Sequence, residues 1–361
     1  MRALHGVVFL LAVAVAVPAA GQTPAMPKLD HVFVIMMENH SYPQIIGRAA
    51  QAPYLNQLAR QGNLARAYFA VGHPSLVNYL EVVGGSNFGV SNDQGPNWHG
   101  ALVDSTLIRP LTGTGTDLPT PAALTGATGG ADIPAARYTA MTIADQLVAA
   151  GKSWKTYQED LPPGGADRVD YSDGIFTNLS AVPQVDVQHL YAVKHDPFAY
   201  FANAQERKTA SRAAGFDGTD GLYADLRAGT APTFSFIVPN QCHDMHGLSN
   251  AGAFCAVDSM LIVMGDKSVE RIVRSIQRSA AWHTGKSAIV ILWDENDFSL
   301  APNRVAFIVA TNYGTKGVAS DVPYNHFSLL RTLEAAFGLP CLNHACDANV
   351  RVMTDLFARS P

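Results

Sequence analysis

Four stretches of the chain are apolar almost without interruption: Leu29 to Met37, Phe234 to Val238, Ile289 to Trp293 and Val305 to Ala310. A strand with one wet face alternates apolar and polar residues. These runs do not alternate, so they predict strands buried on both faces of a sheet. Between them, apolar positions recur at helical spacing in Ala52 to Gln61, Thr142 to Ala150, Ser268 to Ser279 and Asn325 to Phe337, the last stopped by Gly338 and Pro340. Strands alternating with helices predict an α/β sandwich around a mostly parallel sheet. Pro96 to Pro134, rich in Gly, Thr, Pro and Ala, reads as a surface insertion rather than a substrate-covering loop. No repeat or composition shift divides the chain, and one large domain over residues 22–361 is expected.

Residues 1–21 follow another logic. One Arg, an apolar run from Val7 to Val17, Pro18 and then small residues give the order of a secretory signal peptide, with cleavage expected near Ala20 to Gln22. The apolar run is shorter than the ~20 residues that span a bilayer, and no later run is long and charge-free enough to do so. A secreted or periplasmic protein without an integral membrane segment is expected. Its four cysteines fall into two neighbourhoods, which predicts local disulfides Cys242–Cys255 and Cys341–Cys346. A zinc–thiolate site is disfavoured because no CxxC spacing occurs.

Composition excludes two further classes. With 361 residues, 48% hydrophobic and 15% charged, the chain can bury a large core and lacks the signature of disorder. Its 25 basic residues against 30 acidic ones, for a net charge of −5, are dispersed, so duplex nucleic acid is not an expected partner.

In a sheet of this kind ligands bind beyond the carboxyl ends of the strands, which directs attention to the polar residues just after each apolar run. The first run leads into Glu38-Asn39 and the third into Asp294-Glu295. Neighbouring residues in a regular strand point to opposite faces, and both can converge only where the chain begins to turn. Oxygen-rich pairs from two strand ends suit a hard divalent cation, Mg²⁺, Ca²⁺ or Mn²⁺ rather than Zn²⁺. Pro74-Ser75 opens a helical pattern, where Ser75 is either a cap or a nucleophile that needs a base or metal beside it. The segment Pro239 to Gly247 brings His243, Asp244 and His246 directly after the Phe234 to Val238 run, and His326 opens the last helix. Such groups can bind a phosphoryl group or move a proton.

Seven segments in order resemble those of the bacterial phosphoesterase family of secreted acid phosphatases and phospholipases C: HVFVIMMENHS, HPSLVNYL, WKTYQED, KHDPFAYF, PNQCHDMHG, the strand ending in WDEND, and NHFSLLRTLEAAFGLP. The resemblance implies an alkaline phosphatase-like α/β/α sandwich and hydrolysis of a phosphate ester through a phosphoserine formed beside metal. It implies Ser75 as nucleophile, Glu38, Asn39, Asp294 and Glu295 as the metal site, and Asp244, His246 and His326 as phosphate-binding and proton-transfer groups. It gives no role to His73 or His195. Val77 stands where relatives commonly have Pro, and Asp196 where Asn is usual. The substrate expected is a small phosphomonoester, as for an acid phosphatase. A phospholipid diester, as for a phospholipase C, and a non-catalytic metal-dependent binding protein are the alternatives.

Overall fold

The computed structural model describes residues 25–90, 93, 138–161, 190–201, 203, 212–249 and 251–358. The expected signal peptide at 1–21 and the expected insertion at 96–134 lie outside the described residues. Within them, nine strands form one sheet: β1 His31–Met37, β2 Asn63–Phe69, β3 Trp154–Gln158, β4 Ala213–Ala214, β5 Phe234–Val238, β6 Ser287–Trp293, β7 Arg304–Thr311, β8 Ala319–Ser320 and β9 Tyr324–Asn325. Their order is β4-β3-β5-β1-β6-β7-β2-β8, with β9 also on β2. Among these strands only β7 runs against its neighbours, β6 and β2, so the sheet is mostly parallel as expected.

β1 is central, paired in parallel to β5 on one side and β6 on the other. Every residue from Val32 to Met37 is fully buried, and the same holds along β5 and β6 apart from a trace at Val238. That is the physical reason for their unbroken apolar runs: each face meets a helix layer, and no position touches water.

The principal helices are α1 Pro53–Gln61, α2 Ser75–Gly84, α3 Ile143–Ala149, α4 Leu222–Ala228, α5 Asp258–Arg278 and α6 His326–Phe337. α2, α3 and α6 pack together, as do α1, α4 and α5, giving the two outer layers of an α/β/α sandwich. α6 starts and stops where the sequence predicts. The Asn325 side chain accepts the N–H of Ser328 at 3.1 Å, and Gly338 ends the helix at φ 74°. α5 begins at Asp258, well before its expected start at Ser268. Its first half carries the consecutive apolar run Leu261-Ile262-Val263-Met264 and then Gly265, which hides a 3.6-residue period. β2 and β3 carry no such signal either, because NLARAYF and WKTYQ mix polar with apolar positions. No helix among the described residues is long and apolar enough to cross a membrane.

Gly265 of α5 packs tightly against Met245 of the loop after β5 and against Met37 at the end of β1. A Cβ there would collide with the side chain of Met245 and come within 3.1 Å of Met37 Cε. Both methionines are fully buried, and Met245 lies between two of the expected site residues. Gly265→Ala should therefore destabilise the protein. The overpacking cost of about 1–3 kcal/mol outweighs the ~1 kcal/mol that alanine gains in a helix interior. Urea denaturation of the variant checks this, and a raised midpoint would show that the contact is not tight.

Candidate active site

The parallel strands place their carboxyl ends on one edge of the sheet, and short backbone contacts gather the residues that come after them. Met37 and Trp293 are register partners, so Glu38 and Asp294 leave the sheet side by side. Asp294 N–H donates to Met37 O at 2.9 Å, and Glu38 N–H donates to Asp244 O at 2.8 Å. Asn39 turns into the left-handed region, φ 53°, and its N–H donates to Asp294 Oδ1 at 3.2 Å. β2 delivers α2 to the same edge. There Ser75, at the first position of the helix and 1% exposed, donates its Oγ–H to Glu38 Oε2 at 3.0 Å.

Glu38, Asp244, Asp294 and Glu295 are thus buried together. Burial raises each carboxyl well above the usual range, and neighbouring carboxylates add to it: Asp294 on Glu38, Glu38 on Asp244, Glu295 on Asp294, and Asp93 with Glu38 on Glu295. Oxygens of three of them, Glu38 Oε1, Asp244 Oδ2 and Asp294 Oδ2, have no aligned hydrogen bond, and neither does Asn39 Oδ1. Buried carboxylate oxygens crowded together with too few aligned donors are what a divalent cation satisfies, so the donor set fits a metal. Glu295 is different. Its Oε2 accepts from Asn78 Nδ2 at 3.1 Å and lies 2.8 Å from His73 Nδ1, which turns the carboxylate toward α2.

The histidines divide by what their nitrogens meet. His326 Nε2 donates to the backbone oxygen of Asp294 at 2.7 Å, and its Nδ1 accepts from Tyr68 Oη at 3.0 Å. Both nitrogens are engaged, and the ring braces the strand end under Asp294. His246 Nδ1 donates to Gly247 O at 2.8 Å, leaving Nε2 to accept from the Lys194 ammonium at 3.0 Å. No role is expected for His195, yet it stands between two carboxylates, with Nε2 3.2 Å from Glu38 Oε1 and Nδ1 3.1 Å from Asp244 Oδ2. Donor atoms of Glu38, His195 and His246 lie within 4.8 Å of one another, a second grouping that could hold a cation and that shares Glu38 with the first. Burial lowers His73 and His326 to about 4 and, with Lys194 adding its charge, His246 to about 3; His195 falls well below its usual value for the same two reasons. Each shift favours the neutral imidazole, the form that ligates metals.

Lys194 and Asp93 complete the group. Burial alone would lower Lys194, but Asp93 and Glu38 beside it raise its pKa above the ordinary value. Sequence reasoning missed His195 and Lys194 because they follow no strand; the signal available was their place in the KHDPFAYF segment. A second network holds the Asp244 loop. Glu159, just beyond β3, accepts from Asn240 N–H at 3.1 Å, meets His243 Nδ1 at 2.8 Å and accepts from Arg271 at 3.0 Å. The disulfide Cys242–Cys255 ties the same loop to the approach to α5, and Cys341–Cys346 forms as well.

A model of the phosphoesterase family matches residues 48–340. The chain belongs to the phosphoesterase family. As a member it is a hydrolase acting on phosphate esters. This phosphoesterase is 28% identical over 335 residues to a phosphatidylinositol-3-phosphatase of Mycobacterium tuberculosis, covering 92% of this chain and 85% of that one. It is 28% identical over 328 residues to a phosphate-repressible acid phosphatase of Penicillium chrysogenum, covering 90% of this chain and 63% of that one. The chain thus spans less than two thirds of the fungal relative. A Bacteroides thetaiotaomicron protein solved in work on glycosaminoglycan metabolism has the same fold, with TM-score 0.54 and 12% identity over 91% of this chain and 82% of that one.

The crowding of carboxylates makes stability depend on pH and metal together. Without metal, carboxyls whose folded pKa is raised contribute stability that is present below the unfolded range of about 4 and lost as pH rises through the folded values. A bound cation holds the ionised form. The difference in Tm between Mn²⁺-loaded and chelated phosphoesterase should therefore widen from pH 5 to pH 8, and Asp294→Asn should narrow it. Thermal denaturation across that range checks this; a difference independent of pH would remove the cation from this cluster.

Proposed function

We propose that this phosphoesterase is an exported hydrolase of phosphomonoesters that works through a covalent intermediate on Ser75 with the help of a divalent metal ion. The observation that carries it is the hydrogen bond from Ser75 Oγ to Glu38 Oε2 at 3.0 Å, at the first turn of α2 and beside carboxylate oxygens that lack a partner. A serine hydroxyl is a weak nucleophile until a base or metal removes its proton. Glu38 Oε2 is placed to accept that proton as the bond from Oγ to phosphorus forms and the bond from phosphorus to the leaving oxygen breaks. Water then attacks the phosphoserine, releasing phosphate and returning Ser75 to its hydroxyl form.

Glu38, Asn39 and Asp294, with His195 and Asp244 on the other side of Glu38, would hold the metal. The oxygen-rich first group suits Mg²⁺, Ca²⁺ or Mn²⁺. The bound cation would supply a positive charge that lowers the pKa of the Ser75 hydroxyl and draws charge from the phosphoryl oxygens. His246 would orient the ammonium of Lys194, and His326 would fix the end of β6. Export is supported by the signal-like residues 1–21 and by two disulfides, which persist in oxidising compartments.

Phosphomonoesters are favoured over diesters by the acid phosphatase relatives. The mycobacterial relative is named for a phosphomonoester borne on a lipid, which brings phosphoinositides within the substrate range to be tested.

Ser75→Ala should remove turnover of p-nitrophenyl phosphate by several powers of ten while costing about 0.5–2 kcal/mol of stability at most, the scale of a helix-start hydroxyl. Near wild-type turnover in the folded variant would return Ser75 to a structural role. Exhaustive chelation should abolish the activity of the native chain and one of Mg²⁺, Ca²⁺ or Mn²⁺ should restore it. A panel of soluble monoesters, a phosphoinositide and phosphatidylcholine, assayed before and after add-back, checks both the metal and the substrate class.

His246→Ala should slow an alkyl phosphate and p-nitrophenyl phosphate about equally if the ring orients a phosphoryl-binding cation, since that acts on oxygens common to both. A much larger loss on the alkyl ester would make His246 part of the acid that protonates the leaving oxygen.

A further inference from the structure

Two contacts set Asp93 apart from the other carboxylates of the site. Its Oδ1 accepts the N–H of Leu76 at 3.0 Å, and its Oδ2 accepts from Lys194 Nζ at 2.9 Å. Leu76 directly follows Ser75, and its N–H is among the first-turn donors of α2 that have no partner within the helix. Lys194 is 8% exposed and reaches His246 Nε2 with the same ammonium group. One carboxylate therefore bridges a backbone donor next to the candidate nucleophile and a buried cation.

The charges around it sharpen what this bridge means. Glu38, Asp244, Asp294 and Glu295 crowd the site, and the ammonium of Lys194 is the positive charge that acts on Glu38, Asp244 and Glu295. A phosphoryl group approaching Ser75 brings further negative charge into this surrounding. Its non-bridging oxygens need donors beside the nucleophile, and an N–H and an ammonium that two oxygens on one carbon can bridge also match two oxygens on one phosphorus. Were Asp93 to stay in place, both donors would be spent and its charge would oppose the incoming group.

We propose that Lys194 and the Leu76 amide form the phosphoryl-oxygen site, and that the carboxylate of Asp93 is its resident internal ligand, displaced when a phosphoryl group binds. This rests on Ser75 being where the phosphoryl group is attacked. Asp93 then acts as a built-in competitor: it keeps a buried ammonium paired in the free protein and lowers the apparent affinity for phosphate by the fraction of time it occupies the site. Exchange of one anion for another at a fixed pair of donors also makes the site select for a group with at least two terminal oxygens.

Binding of inorganic phosphate to the full-length, Mn²⁺-loaded protein, measured by titration calorimetry, tests this without any turnover. Asp93→Asn keeps an oxygen for Leu76 N–H but removes the competing charge, and should tighten phosphate binding about tenfold or more. Lys194→Met should weaken it by at least about tenfold. Because Lys194→Met strands the carboxylate of Asp93, the double variant Asp93→Asn/Lys194→Met, which removes both charges of that pair, is measured alongside and should bind phosphate as poorly as the single one. Weaker or unchanged phosphate binding in Asp93→Asn would overturn the proposal and leave Asp93 as a structural partner of Lys194 and α2. So would undiminished binding in the double variant. Phosphate binding that meets these expectations in a protein whose Ser75→Ala variant remains active would instead overturn Ser75 as the nucleophile and leave the phosphate site standing.

Discussion

Four carboxyl groups buried within reach of one another are the constraint around which the rest of this molecule is arranged. Each resists ionisation because it has lost water, and each makes its neighbours resist further. Such a cluster survives folding only if something outside it holds the side chains in place. Here that is the parallel sheet, whose central strand pairs with β5 and β6 through residues that are almost wholly buried. The apolar core thus stabilises a polar edge that is unfavourable by itself, and the cost is concentrated at the carboxyl ends of the central strands.

Much of the support lies one contact away from the donor atoms. His326 takes the backbone oxygen of Asp294, and Asn78 takes Glu295 while also accepting the N–H groups of Val71 and Gly72, so the chain entering α2 and the carboxylate beside it are fixed by one amide. Glu159, His243 and the disulfide to Cys255 hold the loop of Asp244 and His246 from its far side. These residues gain nothing from solvent and contribute through orientation, which is what keeps reacting groups within a fraction of an ångström.

The fold was legible where the physics is local or one-dimensional. Strands buried on both faces must be apolar at nearly every position, so β1, β5 and β6 stand out along the chain, as does the similarly buried β7, and α6 carries its own start and stop in Asn325 and Gly338. Strand ends then pointed to Glu38, Asn39, Asp294 and Asp244, all of which the structure brings to one edge. Convergence between segments with no strand before them could not be seen. Lys194 and His195 come from a short 3₁₀ turn, and Asp93 from a stretch with no pattern at all. The sequence also cannot say which nitrogen of a histidine is already spent, and that separates His326, with both engaged, from His195, which faces two carboxylates.

The pairing of β1 has a consequence for how the chain reaches this state. Its two neighbours lie roughly 200 and 255 residues later, since Val32 pairs with Phe234 and His31 with Ser287. A strand reading VFVIMM, with no charge and strong β tendency, therefore emerges first of the nine and stays unpaired while roughly 200 further residues follow. Until β5 and β6 exist it is an unprotected template for pairing with other chains. Glu38 and Asn39 come after that run and Asp30 and His31 precede it, so polar and charged residues bracket the segment most prone to aggregate while the chain is still unfinished.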